Sequence, residues 1–277
     1  MLSISGPAGA IAQVRLVDPT YALKSATAQR YLLTGAGSGP APETAILLKL
    51  LTGALTLPCG DSVDFAIALD WFNMVVDGAV GDLTRLADHV HRAKHLYTPL
   101  GDIENVKQAG GAVADEIAGF VGQHPILKNV DAIASPPGHD PNVLSFGSRL
   151  AAGVAQRRNI PHVRCASTPT RRPPVRSYAF AARAGILGGQ FRCPDDVFAR
   201  RILIVDDVYA SGATVQETAR ALRAAGASQV ASIAAIRTME FEPEHVTKEF
   251  AEERLLADLA IARSAAMPRP DEDDWTL

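Results

Sequence analysis

Four apolar residues in succession, Ile202, Leu203, Ile204 and Val205, run directly into two aspartates, Asp206 and Asp207. A continuous run of this kind has no polar face. It reads as a strand covered on both sides, the pattern of a parallel sheet in an α/β protein. The next residues but two, Ala210, Ser211, Gly212, Ala213 and Thr214, are all small. Beyond them Val215, Ala219 and Leu222 recur at helical spacing, and Gly226 stands where a helix C-terminal glycine belongs. The stretch from Arg201 to Gly226 is therefore strand, tight loop and helix. Ligands of open α/β sheets bind beyond the carboxyl ends of such strands.

The loop narrows the ligand. Backbone N–H groups that open a helix face an anion, and the helix dipole favours negative charge there. Ser211 and Thr214 add hydroxyl donors, and Gly212 lets the backbone approach closely. Two adjacent carboxylates just upstream suit a ligand that carries hydroxyls, or a cation, beside its phosphate. A sugar phosphate meets all of these demands. No lysine follows the loop glycine, so this is not the Gly-x-x-x-x-Gly-Lys-Ser/Thr loop of nucleotide hydrolases, and Gly-x-Gly-x-x-Gly is also absent. The alternative, a buried strand ending in an ordinary Asp-rich turn, needs the acid pair and the loop to fall in register by chance.

The 277 residues suffice for one large or two small domains, and a net charge of −3 gives no basic field of the kind that binds nucleic acid. The three cysteines, Cys59, Cys165 and Cys193, form no Cys-x-x-Cys pair, which predicts reduced thiols in a cytosolic protein. The start of the chain lacks the features of a signal peptide, and no apolar run approaches a membrane span. Residues 1–78 read as an accessory region: a strand from Ala10 to Val17, a buried helix from Glu43 to Leu55 and a strand from Val63 to Asp70. Residues 79–240 read as the core. It holds a helix from Gly81 to Tyr97, a second helix capped by Asp102, and strands at Val130–Ala134, Pro161–Cys165, Ile202–Val205 and Gln229–Arg237. His91 and His95 lie four apart, but no third metal ligand accompanies them. Ala166 to Ala199 is too long for a passive connection, and such loops are functional or mobile. Residues 241–277 read as a C-terminal helix and an acidic tail. The expected fold is α/β, a parallel sheet with helices on both faces and Ile202–Val205 central, plus an N-terminal hood or lobe.

Ile202 to Thr214 resembles the phosphoribosyl pyrophosphate (PRPP) motif of type I phosphoribosyltransferases, with Tyr209 the least typical position. From Gly81 to Arg237 the order of parts looks like the ComF family, relatives of those enzymes linked to DNA uptake. Arg183, Gly189 and Phe191 fall on that family's Arg-x-x-Asn-x-x-Gly-x-Phe, with Ile186 in place of Asn, and Lys94 ends a helix as the family's lysine does. The family's four-cysteine zinc finger is absent, and Ser135 to Gly147 lacks its run of basic residues.

The resemblance implies transfer of phosphoribosyl from PRPP to a nitrogen base, unspecified by the sequence, with Mg²⁺ and release of pyrophosphate. Asp206 and Asp207 would hold the ribose hydroxyls, directly or through Mg²⁺. Ala210, Ser211, Gly212, Ala213 and Thr214 would cradle the 5′-phosphate. Ser135, Pro136, Pro137, Gly138 and His139 would face the pyrophosphate, although the two prolines remove donors. Arg171, Arg172 and Arg176 would belong to a closing lid, with Arg183 counted among the catalytic residues. A homodimer is compatible with this reading, and no membrane partner is implied. The competing reading is a PRPP- or nucleotide-binding module without catalysis, a regulator or DNA-uptake accessory. Nucleic-acid binding through the arginines near Tyr178 and Phe180 is weaker still.

Overall fold

A computed structural model describes residues 2–26, 31–35, 40–76, 79–94, 102–140, 143–167, 175 and 178–238. His95, Arg171, Arg172, Arg176 and everything expected of residues 241–277 lie outside the described residues. The chain opens with β1 (Leu2–Gly6), α1 (Ala8–Val17), β2 (Ala22–Ala26), β3 (Tyr31–Gly35) and α2 (Pro42–Leu51). The three strands form an antiparallel sheet in the order β1-β3-β2. Ile4, Ile11, Val14, Tyr21, Leu33 and Leu47 close a small core of their own beneath the two helices. The segment expected as a strand, Ala10 to Val17, is thus helical. Ile11 and Val14 are buried three residues apart, whereas Leu16, on the other side, is 49% exposed. A run with apolar residues at both periods is settled by what it packs against, not by its own pattern.

Next come β4 (Leu55–Leu57), β5 (Phe65–Trp71), the hairpin β6 (Asn73–Val76) and β7 (Ala79–Leu83), then α3 (Arg85–Ala93) and α4 (Ile103–Gln123). The Thr84 and Asp102 side chains cap α3 and α4 by accepting from Ala87 and Asn105. They are followed by β8 (Ala132–Ser135), α5 (Phe146–Arg158), β9 (His162–Arg164), β10 (Ala166–Ser167), α6 (Phe180–Leu187), β11 (Phe191–Arg192), β12 (Arg201–Tyr209), α7 (Ala213–Ala224) and β13 (Gln229–Arg237). The central sheet has the order β4-β5-β13-β12-β8-β9. All its pairings are parallel except β4 on β5. Leu203 and Val205 pack with α3, α4 and α5, while Ile202 and Ile204 pack with α7. This is the α/β fold the apolar runs predict, with β12 and β13 at the centre. The strand anticipated at Val63 to Asp70 supplies β5, so the central sheet reaches upstream of the boundary drawn at residue 78.

The lobe sits against the sheet's amino edge. Leu16, Val17 and Glu43 line one cleft with Asp64, Arg201 and Gln229, which precede or begin strands β5, β12 and β13. Glu43 pairs with Lys128 at 3.1 Å. A nine-residue strand is about 26 Å long at ~3.3 Å per residue, so these contacts lie a full strand length from the loop after β12. The lobe's tie to the core is a buried polar pair. His124 Nδ1 accepts the N–H groups of Ile126 and Leu127 at 3.3 Å each, which leaves Nε2 to donate to Gln13 Oε1 at 2.9 Å. Gln13 in turn donates to the Gly9 carbonyl at 3.0 Å.

The cysteines also differ from expectation. Cys165 and Cys193 form a disulfide, Cα–Cα 4.5 Å, and Cys59 is free. The two are 28 residues apart and meet because β10 pairs with β11. Sequence spacing alone does not show such a pairing.

Burial pushes the His124 imidazole down to about 4. The unfolded chain takes up this proton near pH 6.5, the folded one near 4. The ring's contribution is complete above about pH 6.5 and is lost as pH falls through 4, a difference of roughly 3 kcal/mol. His162, pushed down to about 4 by burial and then by Arg164, acts in the same direction. Urea unfolding at pH 7 and pH 4.5 will show the drop, and a His124→Gln variant will show a shallower one. Equal slopes for parent and variant would remove His124 as the cause.

Candidate active site at the carboxyl edge of the sheet

Strand β12 does not stop at Val205. It continues in register with β13 through Tyr209, so both aspartates are strand residues rather than loop residues. Asp206 Oδ1 accepts the Asp207 N–H at 2.9 Å, and Asp207 Oδ1 accepts the Val208 N–H at 2.8 Å. Lys94, just past the end of α3, reaches across to Asp207 Oδ2 at 2.5 Å. The like-charge repulsion within the pair is thus relieved in the protein itself. Burial pushes the Asp207 carboxyl up, but the Lys94 charge and hydrogen bond more than offset it, and the group lies below the usual carboxylate range. Asp206 forms no ion pair among the described residues, and Lys94 acts on it only at a distance. Burial, and then the Asp207 charge, hold it well above that range. Two neighbouring carboxyls with opposite shifts are what a site needs to offer one fixed anion and one group that responds to ligand.

The first turn of α5 packs against Asp206. A Cβ on Gly147 would lie 3.1 Å from Asp206 Oδ1, so a glycine here lets the helix start approach the acid. Ser145 caps that helix, accepting from Ser148 N–H at 3.1 Å.

The loop from Ala210 to Thr214 turns on Gly212, which has φ +73° and stands as the N-cap of α7. Gly212 has no side chain to cap α7, and only Ser211 Oγ accepts a first-turn N–H, that of Ala213 at a long 3.5 Å. Tyr209 explains the glycine further. Its ring fills the space a Gly212 side chain would take, and its hydroxyl donates to the Pro58 carbonyl. The residue least typical of the motif is therefore the prop beneath the loop.

The other candidate residues are placed as follows. Ser135 ends β8, but its hydroxyl is buried and bonded to Ser148 at 3.2 Å and His162 at 3.1 Å. It does not face out toward a pyrophosphate. Pro136 is buried, Pro137 and Gly138 are half-buried, and His139 is exposed. Arg183 lies on α6, is buried, and donates to the Tyr178 carbonyl at 2.9 Å, so it holds its own segment together. The long segment is not a featureless lid. Its ends are clamped by the β10–β11 pair and by the disulfide. Phe191 N–H donates to Glu217 Oε1 at 3.1 Å, and Glu217 is held by Arg220 at 2.7 Å, which fixes β11 to α7.

Among the described residues no group of three or more His, Cys, Asp or Glu side chains is arranged to hold a metal ion. With Asp207 engaged by Lys94, the acid pair does not fit a resident cation on its own. Among the described residues no helix is long and apolar enough to cross a membrane.

A family model described as "Phosphoribosyl transferase domain" matches residues 192–251. The match runs from the end of β11 through the acid pair, the loop, α7 and β13. No curated protein sequence matches the chain. Among solved structures, similarity extends to the adenine phosphoribosyltransferase of Leishmania tarentolae, at 14% identity over 66% of this chain and 82% of that one, with a TM-score of 0.37. The adenine phosphoribosyltransferase of Thermoanaerobacter pseudethanolicus matches at 12% identity over 70% and 99%, TM-score 0.34. The orotate phosphoribosyltransferase of Aeropyrum pernix matches at 16% identity over 70% and 80%, TM-score 0.30.

Two outcomes follow from this geometry. Lys94→Met strands a partly buried carboxylate and will lower stability by about 2 kcal/mol. A double-mutant cycle with Asp207→Asn, read by chemical denaturation, will give a coupling of at least ~1 kcal/mol. Strict additivity would contradict the pair. Gly212→Ala forces a side chain onto Tyr209 at positive φ and will cost about 1–3 kcal/mol. An unchanged melting temperature would show that the loop can give way.

Proposed function

We propose that this protein is a phosphoribosyltransferase that binds Mg–PRPP at the carboxyl edge of its sheet and transfers the phosphoribosyl group to a nitrogen base. The observation that carries the reading is the adjacency, within nine residues, of the Lys94-balanced acid pair and the glycine-turned start of α7. In this reading the 5′-phosphate lies on the loop from Ala210 to Thr214, where N–H groups and the helix dipole meet it. Asp207, held ionised, and Asp206 take the ribose hydroxyls. Burial and the Asp207 charge hold Asp206 above the usual carboxylate range, and a cation carried by the ligand would draw it down. Mg²⁺ belongs to the substrate here, carried by pyrophosphate oxygens. Positive charge accumulates on the ribose ring as pyrophosphate departs, and two carboxyls below the ring stabilise it electrostatically. The ComF-like order of parts belongs to the same proposal, with Lys94 as the helix-end lysine that sets the charge of Asp207.

A second reading, ligand binding without turnover, draws on the segment after β8. Ser135 is turned inward and Pro136 and Pro137 have no N–H, which leaves few donors for a pyrophosphate. A regulator or DNA-uptake accessory needs only the phosphate loop and the acids.

Asp206→Asn and Asp207→Asn will each weaken PRPP binding ten- to a hundredfold, about 1.5–3 kcal/mol, by isothermal titration with Mg²⁺. Stability will separate them: Asp206→Asn will hold or gain because it removes a carboxyl whose ionisation burial and Asp207 oppose, and Asp207→Asn will lose because it deprives Lys94 of its partner. If both bind PRPP as the parent does, the site reading is wrong. Pyrophosphate release against a panel of bases divides the two readings, since binding without release selects the non-catalytic one.

A further inference from the structure

Tyr209, Arg237 and Trp71 form one row across three neighbouring strands. Arg237 is in register with Tyr209 on one side and with Trp71 on the other. In-register residues of adjacent parallel strands direct their side chains to the same face. Tyr209 belongs to the α7 face, under the phosphate loop. Arg237 and Trp71 therefore continue that row sideways from the loop, each strand about 4.8 Å further on.

The Arg237 guanidinium lies over the Trp71 ring, 5.2 Å from its centroid, and both residues are half-buried. Arg237 Nε is buried without a hydrogen-bond partner, as is Oγ1 of the adjacent Thr238. Among the described residues Arg158 and Arg200 are also half-buried without an ion pair, so what sets Arg237 apart is an orphaned Nε held against an aromatic ring; other half-buried arginines sit beside a carboxylate. Arg157 pairs with Asp115, Arg220 with Glu217 and Arg223 with Asp64. Arg237 has no carboxylate among the described residues. A buried N–H without an acceptor is costly, and the ring of Trp71 orders the guanidinium without neutralising it.

We propose that Arg237 and Trp71 form the acceptor subsite and select a flat heteroaromatic or aromatic acid, its carboxylate on the Arg237 N–H edge. This rests on the phosphoribosyl-transfer reading. Trp71 offers the guanidinium a ring but no acceptor, so N–H groups remain for a carboxylate, which arginine meets best with two N–H groups in one plane. A flat acid bonded there extends the stack beside the loop, toward the sugar. In the transfer step a nitrogen lone pair of the acid forms the N–C1 bond as the C1–O bond breaks. The bond pair leaves with pyrophosphate, and any proton on that nitrogen passes to solvent. Arg237 and Trp71 bind and orient; they exchange no proton.

The test uses the full chain with Trp275→Phe, so that emission reports Trp71 alone. The probes are nicotinate, orotate and anthranilate, each against its uncharged carboxamide, with ribose 5-phosphate and inorganic pyrophosphate measured separately. At least one acid will quench Trp71 and bind tenfold or more tighter than its amide. Arg237→Gln will abolish that preference and leave ribose 5-phosphate affinity within about twofold. The subsite is overturned if no acid outbinds its amide, or if Arg237→Gln instead weakens pyrophosphate or ribose 5-phosphate. A parent protein that binds an acid but not ribose 5-phosphate overturns the phosphoribosyl reading and leaves the acid subsite standing. Binding of neither overturns both.

Discussion

Burial of Ile202 to Val205 on both faces of the sheet is the constraint from which the rest of the architecture follows. Each of these side chains is fully covered, and each contributes roughly 1.5–3 kcal/mol relative to exposure. Strand β12 is held between β8 and β13, so it cannot slip by one residue without exchanging the α5 face for the α7 face. That fixed register delivers Asp206, Asp207 and Tyr209 to the carboxyl edge in a set order. The chemistry is placed by the packing of residues that take no part in it.

The edge itself is built from local compromises. Two carboxyls sit next to each other in a strand, and Lys94 from another element makes that arrangement tolerable for one of them. Gly147 and Gly212 leave room where Asp206 and Tyr209 need it. Burial raises one acid while a cation lowers the other, so the pair is electrostatically divided before any ligand arrives. At the opposite edge the lobe is tied by a buried neutral histidine, with the exposed Glu43–Lys128 ion pair beside it, consistent with a structural rather than a ligand-binding role.

Much of the core was legible in the sequence because its apolar runs have only one sensible period. Strands β8, β9, β12 and β13 and helices α4 and α7 follow from pattern and caps, and α3 follows in part, since Gly81 to Leu83, expected at its start, close strand β7. The misreadings have physical causes. Ala10 to Val17 carries apolar residues at both periods, and its burial against the lobe decides for helix. The Cys165–Cys193 bridge depends on a two-residue pairing of β10 with β11 that no propensity announces. Ser135 belongs to the expected loop by position, but a neighbouring strand and helix offer His162 and Ser148 as inward partners. Lys94 was visible only as the end of a helix, because its partner lies 113 positions away in the sequence, at Asp207. Arg237 and Trp71 had no signal at all; their row exists only once β5, from the amino-terminal part of the chain, is set beside β13.

The central claim is that an anion is cradled at the start of α7. Backbone amide shifts of the ¹⁵N-labelled protein, followed as ribose 5-phosphate is added, test it directly. The account predicts that the largest saturable shifts fall on Ser211 to Val215, with Asp206 and Asp207 next. Shifts confined to the cleft between the lobe and the amino edge of the sheet, or an unchanged loop at saturating ligand, would contradict it.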